Sequence, residues 1–275
     1  MHPIIPPARL RDLGPGLRLL DARGASAYAE GHLQGALEAD PERHLSTASV
    51  PGHDPARGGR HPLPSPATWS RQLGDWGIGP ETPVVAYDAA GGGNAAARLW
   101  WMLRAAGHPG CAVLDGGLQA ALAAGMVLTQ ELPIPAPTGP YPMTAWGWPT
   151  VTLEEAARVA RDPRWKLLDV RSAERFRGET EPFDPIAGHI PGALNLPYQD
   201  NLAPGGAFKD PEVLRAMYLA FLGDTPPERL VVHCGSGVTA CHTLLALEAA
   251  GLAGASLYVG SWSEWCRSGR EIGRG

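Results

Sequence analysis

The chain has 275 residues, a length that predicts two domains or one large α/β domain. Its 23 basic and 28 acidic side chains leave a net charge of −5, so nothing in the charge favours nucleic acid or an anionic membrane as a partner. No run approaches the roughly 18 apolar residues of a membrane-spanning helix, and residues 1–10 lack a secretory signal pattern, so we expect a cytoplasmic protein.

Several short motifs occur twice in the chain and in the same order. Leu-Leu-Asp-x-Arg begins at Leu19 and again at Leu167, and Gly-His-x-x-Gly-Ala-Leu begins at Gly31 and again at Gly188. Two further landmarks follow in each copy, an apolar run and a later Gly-containing turn. The paired segments are 84–88 with 231–234 and 114–118 with 258–262. Four landmarks at similar offsets predict a duplicated domain.

Within each copy, short apolar runs alternate with helical patterns, which favours βα units. We therefore predict an α/β protein of two tandem domains, each a mostly parallel sheet with helices on both faces. The stretch 132–150 contains six prolines and favours extended backbone, so it is interpreted as a linker. The predicted domains are thus 1–131 and 151–275.

In the first copy, the strand pattern ends at Tyr87 and leads into Asp88-Ala-Ala-Gly-Gly-Gly93, followed by a helical pattern over residues 95–107. A Gly-rich turn between strand and helix suits phosphate binding, but the Gly-Lys-Ser/Thr of a P-loop is absent. Asp88 stands where the second copy carries a cysteine. We interpret this loop as an inactive version of the one in the second copy.

In the second copy, the apolar strand Leu230–His233 leads into Cys234-Gly-Ser-Gly-Val-Thr239 and a predicted helix over 240–250, which Gly251 ends. Gly235 and Gly237 allow backbone N–H groups to turn inward, and a helix N-terminus favours negative charge. Such a loop suits a nucleophilic thiolate at Cys234 and an anionic adduct on it. The alternative is a buried structural cysteine.

Two chemistries use a cysteine in such a loop. A phosphatase needs Cys-x5-Arg, whose arginine grips the phosphate. The sixth residue after Cys234 is Ala240, and the next arginine is Arg267, so phosphatase chemistry is disfavoured. A short loop of small residues instead suits a single sulfane sulfur.

The motif Cys-Gly-Ser-Gly-Val-Thr-Ala at 234–240 resembles the active loop of tandem-domain rhodanese sulfurtransferases, most of all their 3-mercaptopyruvate type. The resemblance covers nearly the whole chain. It extends to both Gly-His-x-x-Gly-Ala motifs, Arg-Leu-Trp-Trp at 98–101, Asp-Gly-Gly at 115–117 and Gly-Ser-Trp-Ser-Glu-Trp at 260–265.

The resemblance implies that only the second domain is catalytic and that Cys234 takes sulfur from a donor to form a persulfide. The sulfur then passes to cyanide, a small thiol or thioredoxin. No metal or organic cofactor is implied. The other three cysteines (Cys111, Cys241 and Cys266) show no metal-binding pattern and are interpreted as structural.

The resemblance also implies roles for individual side chains. Arg175 binds the donor's carboxylate or sulfonate, which a guanidinium fits with two hydrogen bonds. Ser236 bonds the donor sulfur or relays a proton, and His32 pairs with that serine as a proton carrier. The remaining loop residues contact the transferred group. They are Gly235, Gly237, Val238 and Thr239.

One departure from the resemblance concerns the donor. The 3-mercaptopyruvate type carries a second arginine where this chain reads Glu-Pro-Phe-Asp-Pro at 181–185. Arg177 or a main-chain N–H are the candidates to replace it. The loop favours 3-mercaptopyruvate, and thiosulfate is the alternative donor. A third hypothesis is a carrier module that holds a persulfide without turnover.

Overall fold

A computed structural model describes residues 1–92 and 95–275, and in it the short apolar runs form two five-stranded parallel sheets. Each sheet belongs to one of two compact units. Unit 1 contains residues 1–47, 63–148 and 204–208, and unit 2 contains residues 48–62, 149–203 and 209–275. Each unit therefore includes one short segment from the other half of the sequence.

The sheet of unit 1 has the strand order β1-β6-β5-β2-β4, with every neighbouring pair parallel. A small antiparallel pair, β3 and β7, lies apart from it. The strands are β1 (Ile4–Ile5), β2 (Arg18–Asp21), β3 (His32–Leu33), β4 (Leu37–Glu38), β5 (Val84–Tyr87), β6 (Cys111–Leu114) and β7 (Leu128–Thr129). The helices are α1 (Ala25–Glu30), α2 (Pro66–Asp75), α3 (Ala95–Ala105) and α4 (Gly117–Ala123).

The sheet of unit 2 has the order β8-β12-β11-β9-β10, again with parallel neighbours throughout. Its strands are β8 (Thr150–Val151), β9 (Lys166–Asp169), β10 (Leu194–Asn195), β11 (Leu230–His233) and β12 (Ser256–Tyr258). Its helices are α5 (Leu153–Val159), α6 (Ala173–Arg177), α7 (Pro211–Leu222), α8 (Ala240–Ala249) and α9 (Ser261–Trp265).

The two sheets have the same topology, which confirms the predicted tandem α/β fold. Side chains from both faces of the unit 2 sheet are buried. Leu167 and Val231 pack with α5 and α9, whereas their neighbours Leu168 and Val232 point to the opposite face and are fully buried there. Burial on both faces explains why these strands read as continuous apolar runs.

The repeated Asp-x-Arg motif forms the same buried ion pair in each unit. In unit 2, Arg171 donates from Nε and Nη2 to the Asp169 carboxylate at 2.6–3.0 Å and from Nη2 to the Gly188 carbonyl at 2.7 Å. In unit 1, Arg23 holds Asp21 and the carbonyl of Gly31 in the same way. The arginine thus ties the end of a strand to the start of the Gly-His motif.

The Pro-rich stretch belongs to unit 1 up to Trp148. The N–H groups of Thr138 and Tyr141 donate to the carbonyls of Gly74 and Ser70 of α2, both at 2.9 Å. Trp148 packs edge-on against Trp100 of α3, with ring centroids 5.4 Å apart. The stretch contains no helix, and it packs on helices of unit 1.

Among the residues that the structure describes, no helix is both long enough and apolar enough to span a membrane.

The second glycine of the Gly-His-x-x-Gly-Ala motif has different surroundings in the two copies. Gly35 and Gly192 have φ values of +78° and +88°. A Cβ on Gly35 would meet nothing within 4 Å, whereas one on Gly192 would lie 2.1 Å from the Ala160 carbonyl oxygen. Gly35→Ala therefore carries only the cost of a positive φ, about 1–2 kcal/mol, and Gly192→Ala adds a collision with backbone.

We expect Gly35→Ala to lower the melting temperature by several degrees, on the scale of roughly 2–4 °C per kcal/mol for a protein of this size. Gly192→Ala should lower it at least about twice as much, because the Ala160 backbone has to move. Calorimetry of both variants beside the parent protein checks this. Equal shifts in the two variants would contradict the close approach at Gly192.

Candidate active site around Cys234

Cys234 lies where the strongest sequence pattern placed it, directly after a central strand. β11 ends at His233, and α8 begins at Ala240 and ends before Gly251, which has a φ of +69°. Cys234 is 2% exposed. The loop therefore occupies the carboxyl end of a parallel sheet, where α/β proteins bind their ligands.

The Gly-Ser-Trp motif at 260–262 fastens this loop. The Cys234 N–H donates to Ser261 Oγ at 3.2 Å, and the Trp262 N–H donates to the Cys234 carbonyl at 3.1 Å. Ser261 has a φ of +54° and its hydroxyl donates to the Tyr258 carbonyl at 2.9 Å. A left-handed conformation is uncommon for a residue with a side chain, and here it aims the serine oxygen at the cysteine backbone.

Gly237 passes so close to the neighbouring chain that no side chain fits. Its φ is +74°, and a Cβ there would lie 2.4 Å from the Val259 carbonyl oxygen. Val238 and Thr239 follow, half-buried, and their carbonyls accept the N–H groups of Cys241 and His242 at 3.1 and 3.0 Å. The loop thus turns tightly into the N-terminus of α8, where N–H groups and the helix dipole favour an anion.

Ser236 has a histidine partner from a distant part of the sequence. The Nδ1 atom of His61 lies 2.8 Å from Ser236 Oγ, and Ser236 is only 6% exposed. His61 belongs to the segment Ala48–Pro62, which is part of unit 2. A hydroxyl and an imidazole at this distance can pass a proton between them.

His32, the histidine predicted to pair with Ser236, is fully buried in unit 1. Its Nδ1 and Nε2 atoms lie 3.0 and 3.1 Å from the carbonyl oxygens of Tyr28 and Glu131, and its ring stacks on that of Tyr28 at 3.9 Å. Both ring nitrogens therefore have partners within unit 1. His189, in the same motif of unit 2, stacks on Phe176 in the same way.

Arg175, the residue predicted to bind the donor's anionic group, lies next to the Cys234 loop. A Cβ on Gly235 would lie 3.2 Å from Arg175 Nη2 and 3.6 Å from its Nη1. Glu181 accepts from Arg175 Nη2 at 2.7 Å and orients the guanidinium. Arg177 pairs instead with Glu179, at 2.6 Å, and its side chain is 41% exposed.

A buried ionic network lies beneath the loop. Glu181 also accepts from Arg171 at 3.1 Å, so one carboxylate joins Arg171 to Arg175. Burial acts to raise the pKa of Asp169, but the neighbouring Arg171 outweighs it and the pKa is lowered. Burial lowers the pKa of His233, more than the carboxylate of Asp169 at 3.9 Å raises it, so this histidine is neutral.

The remaining cysteines are free thiols and are buried like Cys234. Cys241 Sγ lies 3.4 Å from the Gly237 carbonyl oxygen. Burial raises the pKa of Cys266, and this residue packs in the same core cluster as Trp262 and Trp265. The two tryptophans therefore serve the core of unit 2.

The first copy carries a carboxylate where the second carries the thiol. Asp88 Oδ1 accepts the N–H groups of Ala90 and Gly92, both at 2.8 Å, and its Oδ2 accepts that of Ala96 at 3.2 Å. Gly93, the last residue of the predicted loop, lies outside the described residues. The N–H groups of this turn could bind an anion, but the carboxylate of Asp88 already accepts them.

Two functional candidates, Arg60 and His61, were missed in the sequence. They lie in the stretch 39–65 between β4 and α2, which contains neither helix nor strand. Loops of that length without their own secondary structure are often functional, so the length of this stretch could have pointed to functional residues in it.

Hydrogen bonds to α9 hold the Ala48–Pro62 segment in unit 2. The Gly58 N–H donates to Glu264 Oε1 at 2.8 Å, and the Arg60 N–H donates to Ser263 Oγ at 3.0 Å. Glu264 Oε2 also accepts the Tyr258 hydroxyl at 2.8 Å. One carboxylate therefore links the segment to the end of β12.

Glu264→Ala should loosen the Ala48–Pro62 segment and speed tryptic cleavage after Arg57 several-fold, because local opening precedes proteolysis. Mass spectrometry of timed digests gives the rate. Glu271→Ala, which removes an exposed carboxylate, is the matched control and should cleave at the parent rate. Equal rates in all three proteins would contradict the role of Glu264.

Comparison with known proteins agrees with the geometry. The sequence profile of the rhodanese-like domain matches residues 8–124 and 152–268. A protein of Pseudomonas aeruginosa named "Probable 3-mercaptopyruvate sulfurtransferase" is 44% identical over 271 residues, covering 94% of this chain and 91% of its own. Thiosulfate sulfurtransferase of Bos taurus is 36% identical over 266 residues, with 94% and 87% covered.

Solved structures show the same relationship. The 3-mercaptopyruvate sulfurtransferase of Leishmania major superposes with a TM-score of 0.82 at 31% identity, covering 95% of this chain and 73% of that one. The 3-mercaptopyruvate sulfurtransferase of Escherichia coli gives a TM-score of 0.74 at 28% identity, covering 95% and 99%. The resemblance inferred from the sequence motifs is thereby confirmed: the chain belongs to the rhodanese family, as a member with two rhodanese-like domains in tandem.

Proposed function

We propose that this chain is a sulfurtransferase that moves the sulfur of 3-mercaptopyruvate to a thiol or cyanide through a persulfide on Cys234. Its relatives carry the names of sulfurtransferases with either 3-mercaptopyruvate or thiosulfate as donor. The chain is therefore a sulfurtransferase enzyme. What distinguishes the two donors here is the hydrogen bond between His61 and Ser236.

The reaction with 3-mercaptopyruvate requires a proton to move. The Cys234 thiolate attacks the donor sulfur, the bond between that sulfur and the methylene carbon breaks, and its electron pair passes to the carbon. The first products are the protonated Cys234 persulfide and the enolate of pyruvate. The proton, which came from the donor thiol, then passes from the persulfide to the carbon and leaves the persulfide anion and pyruvate, so atoms and charge balance without a further reactant.

Thiosulfate needs no such proton transfer. Attack on its outer sulfur gives the same persulfide and releases sulfite, which is already stable as an anion. The pair formed by Ser236 Oγ and His61 Nδ1, 2.8 Å apart, would be of use only for the first reaction. This hydrogen bond supports 3-mercaptopyruvate as the donor and His61 as the partner of Ser236, in the role first assigned to His32.

Other features of the loop support the same assignment. Arg175 lies beside Gly235, where its guanidinium suits the donor's anionic group. The resemblance of the Cys-Gly-Ser-Gly loop to the 3-mercaptopyruvate type also implies this donor, because it implies basic residues at the positions of Gly235 and Ser236 for the thiosulfate-specific type. Gly237, Val238 and Thr239 form the turn into α8 that would hold the transferred sulfur.

The acceptor in the second half-reaction is a nucleophile that attacks the outer persulfide sulfur and restores the Cys234 thiolate. We propose a small thiol or thioredoxin for this role, with cyanide as the convenient laboratory acceptor. A reducing compartment such as the cytoplasm suits this cycle, because Cys234 has to return to a free thiol after each turnover.

Steady-state transfer to cyanide should show a higher kcat/KM with 3-mercaptopyruvate than with thiosulfate, because only the former uses the proton relay. Cys234→Ser should abolish transfer from both donors, since the hydroxyl cannot form a persulfide. Preference for thiosulfate would overturn the donor assignment. A single turnover that stops at a stable persulfide would instead support the carrier module.

His61→Ala should lower kcat with 3-mercaptopyruvate by about 100-fold or more, the usual scale of general acid–base catalysis. The loss with thiosulfate should be much smaller, so this donor serves as the internal control. His32→Ala should lower the melting temperature, because it removes buried contacts, and should affect both donors alike. A donor-selective loss in His32→Ala, with none in His61→Ala, would refute the assignment.

A further inference from the structure

The segment 181–185, where the resemblance implies a second arginine, carries two buried carboxylates instead. Glu181 accepts from Arg175 and Arg171, as described above. Asp184 Oδ1 accepts from Arg267 Nη1 at 2.7 Å and lies 3.2 Å from Arg60 Nε. The Asp184 side chain is fully buried. This segment therefore attracts a guanidinium from elsewhere in unit 2 rather than supplying one.

The guanidinium of Arg60 lies beside Gly235 in the Cys234 loop. A Cβ on Gly235 would lie 3.2 Å from Arg60 Nη2 and at the same distance from Arg175 Nη2. The two nitrogens are therefore no more than twice that distance apart. Because Gly235 has no side chain, this residue itself places no side-chain atom between the two nitrogens and an approaching anion. A carboxylate, with one oxygen toward each guanidinium, matches this arrangement.

Both guanidinium groups are held in place. Arg60 and Arg175 lie over the ring of Phe183, at 5.3 and 5.1 Å from its centroid. Asp184 fixes Arg60 through charge attraction, since the Nε–H is not aligned for a hydrogen bond. Glu181 fixes Arg175 with hydrogen bonds. A site held in this way binds an anion at little cost in side-chain entropy.

The ion pairs beside the loop contain one more guanidinium than carboxylate. Four guanidinium groups and three carboxylates make up two linked sets of ion pairs. The first set is Arg60, Asp184 and Arg267, and the second is Arg175, Glu181, Arg171 and Asp169. One positive charge remains unmatched within these sets, and it reduces the repulsion between the Cys234 thiolate and an anionic donor.

We propose that Arg60 binds the donor's carboxylate together with Arg175, and so supplies the second guanidinium that the segment 181–185 lacks. The inference rests on the proposed function, in which Cys234 attacks a sulfur donor that carries a carboxylate. Arg177, the earlier candidate for this role, pairs with Glu179 and is partly exposed.

The test uses alkylation of Cys234, which does not require sulfur transfer. Iodoacetate carries a carboxylate and iodoacetamide does not, so the ratio of their rates reports the attraction of an anion to the loop. Arg60→Gln should lower this ratio about tenfold, as expected for the loss of a charge-assisted hydrogen bond. Arg57→Gln removes an equal charge from an exposed position of the same segment and should leave the ratio unchanged.

Steady-state kinetics then connects the site to the donor. Arg60→Gln should raise KM for 3-mercaptopyruvate about tenfold with a smaller change in kcat, and Arg60→Lys should recover part of the loss. An unchanged alkylation ratio in folded Arg60→Gln would overturn the proposal, as would an equal fall in Arg57→Gln or a ratio in Arg60→Lys no higher than that in Arg60→Gln. If the ratio falls but the parent protein transfers no sulfur from 3-mercaptopyruvate, the carboxylate site stands and the proposed function fails.

Discussion

A buried carboxylate at the end of one strand organises the ion pairs of unit 2. Asp169 ends β9 and holds Arg171 through two nitrogens, and Arg171 in turn binds the Gly188 carbonyl and Glu181. Glu181 then orients Arg175. Burying these charges is costly unless each has a partner, and every carboxylate in this series has an arginine. These ion pairs connect the end of β9 to Arg175, and so they fix the position of Arg175 beside the Cys234 loop.

The two copies share the buried Asp–Arg pair at the end of a strand, and they differ in the side chains next to it. In unit 1 the Tyr87 hydroxyl donates to Asp21 at 2.6 Å, whereas the equivalent residue of unit 2 is the neutral His233. Where unit 2 has Cys234, unit 1 has Asp88, whose carboxylate accepts the N–H groups of its own loop. A loop that carries its own anion has no electrostatic reason to take another, which supports the prediction that only the second copy is catalytic.

Much of this arrangement was predictable because its signals are local. Strands buried on both faces appear as short apolar runs, and Gly251 marks the end of α8 through its positive φ. The duplication made the prediction stronger, since each element had a second copy to compare. Cys234 was predictable for the same reason, because a strand, a Gly-rich turn and a helix are adjacent in the chain.

His61 and Arg60 were not predictable in this way. They belong to the Ala48–Pro62 segment, which has no helix or strand and is held to the rest of unit 2 by hydrogen bonds to Glu264, Ser263 and Ser236. By itself, the sequence determined the repeated α/β frame and the cysteine loop, because short-range patterns encode them, whereas Arg175 was implied by the family resemblance. Only the tertiary structure decided which histidine meets Ser236 and that a second guanidinium meets Gly235, because those contacts join residues about 175 positions apart.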